Sequence, residues 1–194
     1  MSTFVLATAN PHKANEIRAV LGGLGLELLD RPTHVGEVVE DADSLEGNAL
    51  LKAAALAQAT GQPSIADDTG LFVEGLNGRP GVYSARYAGE NATYEENVAK
   101  LLEELADVAV ERRRAQFRTV VVVVYPHARP LVVEGVLDGV IGFEPRGEEG
   151  FGYDPVFIPD GGTRTLAQMS SVEKNAVSHR GRALRKLVEE LAQR

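Results

Sequence analysis

Phe4-Val5-Leu6-Ala7, running directly into Thr8-Ala9-Asn10-Pro11-His12-Lys13, reads as a buried strand handed straight to a helix. Asn10 is placed to cap that helix and Pro11 to be its first residue. The charge is less ordinary. His12 and Lys13 occupy the first turn, where the helix dipole and free N–H groups favour anions over cations. A cation is at home there when an anion sits between it and the helix end, as phosphates do at strand-to-helix turns. The simpler reading is a capped helix with a solvated lysine.

Outward from this turn, the first half of the chain alternates strand and helix. Ile17, Val20, Leu21 and Leu24 make a helical stripe that ends in glycines, and a short strand follows near residues 26–29. Ser44 caps a second helix through about Thr60, packed through Leu45, Ala49 and Leu56. Ser64-Ile65-Ala66 then reads as a short strand that delivers Asp67-Asp68-Thr69-Gly70 at its end. Thr93 and Glu96 form a capping-box pattern for a third helix. Val120 to Val124 is an unbroken β-branched run that suits a strand covered on both faces, and Leu131 to Phe143 is its expected antiparallel partner. Ser178 caps a last helix with the stripe Leu184, Leu187, Val188 and Leu191. The expectation is an α/β protein with a mixed sheet, a single domain over residues 1–194.

Composition narrows the function. With 44% hydrophobic and 25% charged residues among 194, the chain is a globular protein rather than a disordered or membrane-embedded one. A net charge of −8 disfavours a nucleic-acid polymer as partner and leaves room for a small phosphorylated ligand held by a local basic cluster. There is no cysteine, hence neither disulfide nor thiolate chemistry. No apolar run approaches membrane-spanning length and no signal-like segment opens the chain, so a cytoplasmic protein is expected.

Several groups could carry chemistry. Asp67 and Asp68 could hold Mg²⁺ with one carboxylate and orient a water with the other, since Mg²⁺ takes one or two carboxylates plus substrate phosphates. Alternatively they close the strand with an Asx-turn. Glu37, Glu40, Asp41, Asp43 and Glu46 form an acidic run that reads as a solvated loop, one member of which could complete a metal site. Ser84-Ala85-Arg86-Tyr87 reads as an exposed strand with a surface arginine. Phe151, flanked by glycines, is placed either to stack on a planar base or to anchor a loop. Ser178-His179-Arg180 repeats the basic helix start of Lys13, with Lys174 four residues before Ser178. The two basic helix starts and the aspartate pair are expected to converge.

Six stretches, in order along the chain, resemble the inosine triphosphate pyrophosphatase family, also called Ham1-like. They are Thr8-x-Asn10-x-x-Lys13, Asn48-Ala49-x-x-Lys52-Ala53, Ala66-Asp67-Asp68-Thr69-Gly70, Pro80 to Tyr87, Gly150-Phe151-Gly152-Tyr153-Asp154-Pro155 and Ser178-His179-Arg180-Gly181. The resemblance implies an elongated two-lobed fold with a mixed sheet, flanking helices and an active-site cleft between the lobes. It also implies a homodimer and Mg²⁺-dependent hydrolysis of dITP, ITP and XTP to the monophosphate and pyrophosphate, which cleanses the nucleotide pool. By position, Asp68 is similar to the family's catalytic carboxylate and metal ligand, and Glu40 to its second metal ligand, with Asp67 as the understudy base. Thr8, Asn10 and Lys13 resemble the triphosphate-binding turn. Thr69, Phe151, Gly152, Tyr153, Asp154, Lys174, His179 and Arg180 resemble further substrate contacts. Two rival expectations remain: a Maf-like pyrophosphatase acting on pyrimidine or modified nucleotides, and a non-catalytic nucleotide-binding module.

Overall fold

Val120, Val121, Val122 and Val123 are all buried in β5 (Arg114–Val124), as an unbroken β-branched run requires. In the computed structural model, which describes residues 2–193, β5 lies inside a seven-stranded mixed sheet. The other strands are β1 (Thr3–Leu6), β2 (Glu27–Leu29), β3 (Ser64–Val73), β4 (Pro80–Gly81), β6 (Leu131–Ile141) and β7 (Phe157–Pro159). Their order is β2-β1-β3-β5-β6-β7, with β4 added to β3. Strand β1 pairs parallel with both β2 and β3, whereas β4 on β3 and β7 on β6 are antiparallel. The Ile141 N–H donates to Arg113 O, so β5 and β6 run in opposite directions. The helices are α1 (Pro11–Leu21), α2 (Leu45–Thr60), α3 (Tyr94–Glu104), α4 (Ser171–Val177) and α5 (His179–Ala192).

The chain divides into two compact units. The first comprises the residues up to Asp68, Thr119–Gly135 and the residues from Arg180 on; its core joins Phe4, Leu6, Ile17, Leu21, Ile65, Val121, Val123, Leu184 and Leu187. The second comprises Thr69–Arg118 and Val136–His179, around Leu71, Leu101, Phe117, Leu137, Val156, Phe157 and Leu166. Met1 and Arg194, the ends of the expected domain, lie outside the described residues.

Two local expectations are corrected. Strand β3 does not stop at Ala66: it continues to Val73 with nearly every residue buried, so the aspartate pair lies in mid-strand and forms no Asx-turn. Gly70 makes that continuation possible, because a Cβ there would come within 2.6 Å of Gly81 O on the paired strand β4. Ser84–Arg86 is a short 3₁₀ turn rather than an exposed strand; the buried Ser84 hydroxyl donates to Gly81 O and accepts from Leu71 N–H. The chain also turns through an unforeseen helix, α4, begun by a Ser170–Glu173 capping box.

Candidate functional site

The predicted residues gather into two groups, one in each unit. In the first unit, Asn10 caps α1 as expected: its Oδ1 accepts from the His12 and Lys13 backbone N–H groups at 2.9 and 3.4 Å. Thr8 Oγ1 accepts the Asn10 N–H, and Ala14 N–H donates to Asn10 O. Pro11 has no N–H to offer. The first turn is therefore satisfied internally, and the free donors once expected there for an anion are already engaged.

Lys13 is engaged as well. Its ammonium lies 3.3 Å from Asp67 Oδ2, the oxygen that Arg180 of α5 grips through Nε and Nη2 at 3.1 and 3.0 Å. Arg180 Nη1 donates to Glu16 on α1. The two basic helix starts do converge, and the anion they share is a buried carboxylate of the chain itself. Burial opposes the charge on Asp67, but Lys13, Arg180 and Lys52 outweigh it and hold the carboxyl well below its usual range. Burial pulls the Lys13 ammonium below its ordinary value, with Asp67 opposing.

Asp68 has different partners, as adjacent residues of a strand must. Its Oδ1 accepts from Lys52 Nζ at 3.0 Å, and the same ammonium donates to Glu40 Oε2 at 2.7 Å. Burial raises the Asp68 carboxyl above its ordinary value; Lys52 and Lys13 counteract this without reversing it. For Lys52, burial works against the charge, but Asp68, Asp67 and Glu40 together raise its pKa. Glu40 sits on an irregular loop fixed at two places: Arg31 donates to Ala7 O and Val35 O, and Asn48 Oδ1 accepts from Ala42 N–H. Spacing could not choose among the five acids of that run. Packing does: Glu40 is half-buried against Lys52, whereas Glu37, Asp41, Asp43 and Glu46 are exposed.

Glu40 and Asp68 thus aim one oxygen each at a common point that already holds a cation, a donor set that fits Mg²⁺ completed by waters and phosphate oxygens. No cluster of three or more metal-ligating side chains occurs among the described residues.

In the second unit, Asp154 organises the glycine-flanked loop. Its Oδ2 accepts the Phe151 N–H at 2.8 Å and the Lys174 ammonium at 2.6 Å, and all but a sliver of both charged side chains is buried. A Cβ added at Gly150, where φ is +78°, would collide with the Asp154 carboxylate. The half-buried Phe151 ring has the Tyr94 ring at 6.0 Å and Lys174 Nζ at 4.6 Å from its centre. Gly152 is half-buried beside it, as is Thr69 on β3. Tyr153 is a core residue whose hydroxyl donates to Ser84 O at 2.8 Å. His179 is buried and stacked on Phe117 at 4.5 Å.

Residues 4–190 match the Ham1 family. The chain belongs to that family. A dITP/XTP pyrophosphatase of Streptomyces coelicolor is 46% identical over 97% of this chain and 96% of its own length. One from Geobacter sulfurreducens is 49% identical over 98% and 97%. The Streptococcus agalactiae relative, 50% identical, is longer, and the match spans 59% of it. Among solved structures, a HAM1 protein from Coxiella burnetii superposes over the whole of both chains with a TM-score of 0.92 and 40% identity. The Staphylococcus aureus Ham1 protein gives 0.88 at 38% identity over 99% of each chain.

Lys52, Glu16 and Tyr94 were missed by sequence reasoning as members of these groups. For Lys52 a signal existed: it lies on the buried stripe of α2 with Leu45, Asn48, Ala49 and Leu56, where a lysine requires a partner. For Glu16 and Tyr94 the local pattern carries none.

Proposed function

We propose that this chain hydrolyses non-standard purine nucleoside triphosphates, dITP, ITP and XTP, to the monophosphate and pyrophosphate. The observation that carries this reading is the cluster built on Asp67 and Asp68, in which Lys13, Lys52 and Arg180 face Glu16, Glu40, Asp67 and Asp68. Three cations against four carboxylates leave the cluster about one charge negative. A triphosphate of about four negative charges needs further positive charge to settle there. A divalent cation on Glu40 and Asp68 would supply it, and Mg²⁺ would polarise the attacked phosphate when bound.

The chain's own residues divide the remaining work. Asp68 is assigned the proton of the attacking water: with Oδ1 given to the cation at the carboxylate pair, Lys52 here and the divalent ion when bound, its Oδ2 is left for the water. The water oxygen bonds to the α-phosphorus, the α–β bridging bond breaks, and pyrophosphate leaves with the electron pair. Asp67, fully ionised and gripped by Lys13 and Arg180, is a poor base and serves to position Lys13. Lys13 then meets the phosphate chain, with Thr8 and Asn10 shaping the turn that presents it. Arg180 is committed to Asp67 and Glu16 and acts through them.

Base recognition is assigned to Phe151, whose ring is braced by Tyr94 and Lys174 on a loop fixed by Asp154. Stacking does not separate hypoxanthine from adenine. Donors to a 6-oxo group do, by roughly 10⁴–10⁵ where the site is built on such pairing, and His179 and the backbone beside it are the donors assigned. The reading includes a homodimer working in the cytoplasm; no helix among the described residues is long and apolar enough to cross a membrane.

The test is pyrophosphate release from ITP, XTP, dITP, ATP and GTP, each with and without Mg²⁺. Release from the first three alone, and only with Mg²⁺, is expected. Equal cleavage of ATP or GTP would end the pocket assignment. Tight ITP binding without release would favour a binding module.

A further inference from the structure

Lys52 carries a buried charge that the steps above leave unused. It stands on the packed face of α2, which also buries Asn48, Ala49, Ala53 and Leu56. Its ammonium lies at the point where Glu40 and Asp68 meet, 2.7 Å from one carboxylate and 3.0 Å from the other. Without it, two carboxylates would face each other in a part-buried setting where water screens them poorly. With it, the point is taken. A divalent ion held at about 2.0–2.1 Å by the same two oxygens and an ammonium at hydrogen-bond distance from both cannot share that space.

Resting on the reading that Glu40 and Asp68 hold a divalent cation, we propose that Lys52 is a placeholder cation. It holds the carboxylate pair together in nucleotide-free protein and is displaced when the divalent ion enters. The lysine stem is flexible and the ammonium needs a new anion, which the triphosphate supplies. Metal affinity is therefore low in the free protein and rises with nucleotide, and by reciprocity nucleotide affinity rises with metal by the same factor. A residue that merely neutralised the carboxylates from beside the ion's place would stay where it is as the ion enters, whereas a placeholder has to leave.

The experiment measures Mn²⁺ binding to the full-length, nucleotide-free protein by calorimetry and by the electron paramagnetic resonance of the free ion. Lys52→Met is expected to bind Mn²⁺ roughly tenfold or more tighter than wild type. Lys52→Arg, which keeps a cation in place, is expected to bind no tighter, and the E40Q/K52M double variant is expected to lose the gain. Folding is checked by circular dichroism. Should Lys52→Met not fold, wild-type protein labelled at lysine Cε decides: the Lys52 signal, assigned by its absence from Lys52→Arg, moves as Mg²⁺ is added.

A folded Lys52→Met that binds Mn²⁺ no tighter than wild type, or a Lys52 signal that stays put while Mg²⁺ binds, overturns the placeholder. E40Q and D68N separate the two readings. If they weaken Mn²⁺ binding measured with a non-hydrolysable purine triphosphate, the carboxylate pair stands and only the placeholder has fallen. If they leave it unchanged, both have fallen.

Discussion

Arg180 donates twice to a single oxygen, Asp67 Oδ2, at 3.1 and 3.0 Å across a sequence separation of 113 residues. Neither side chain has meaningful access to water, and Lys13 approaches the same oxygen. That oxygen ties the start of α5 to the strand carrying the aspartate pair and to the first turn of α1.

Removing one partner of such a buried network strands the other charges. Asp67→Asn is expected to cost about 3 kcal/mol or more of stability at neutral pH, measured by urea unfolding. The sign of the pH dependence follows from the depressed Asp67 carboxyl. Its contribution is fully present above the unfolded-state value near 4 and is lost as pH falls toward the lower folded value. Between pH 5 and pH 2 the stability gap between wild type and Asp67→Asn should therefore narrow. A gap that widens in acid would place the stabilising charge elsewhere.

Asp68→Asn removes a carboxyl that burial already disfavours as an anion, and Lys52 keeps Glu40. The fold should survive, with a melting temperature within a few degrees of wild type. Turnover of ITP should fall by about 10²–10⁴, the usual worth of a general base. Near-normal turnover would remove Asp68 from that role.

Phe151→Ala leaves the Asp154–Lys174 pair intact and deletes only the platform. Base stacking is worth about 1–3 kcal/mol, so the KM for ITP should rise about five- to 150-fold while kcat changes little. Steady-state kinetics with ITP read both. A loss confined to kcat would deny the ring a stacking role.

Tyr153, which resembles a substrate contact of the family, packs its ring in the core of the second unit and donates its hydroxyl to Ser84 O. Tyr153→Phe should lose about 1–2 kcal/mol of stability through the orphaned carbonyl. Its KM for ITP should stay within twofold of wild type. A large KM change with unaltered stability would show the hydroxyl acting on substrate instead.

Element starts were legible because capping is local. Asn10 before Pro11, Ser44 before Leu45, and Thr93 with Glu96 each announce a helix within four residues, and each does what its side chain predicts. The length of β3 was not legible. Asp-Asp-Thr-Gly has turn composition, and only the close approach of Gly81 beside Gly70 and the surrounding burial keep it extended. That the two basic helix starts meet the aspartate pair was legible; that Asp67 itself is the anion they share was not. Asp67 lies far from both starts in sequence, and nothing local to Lys13 or Arg180 points to it.

By itself, then, the order of residues determined where helices begin, that the valine run is covered on both sides, and which motifs mark the family. These depend on neighbours a few bonds away and on hydrophobic period. Folding decided which acid faces which base: Glu40 rather than its four neighbours for Lys52, and Asp67 for Lys13 and Arg180 together. A buried charge takes whatever counter-charge packing brings within about 3 Å, and that distance is a property of the assembled chain.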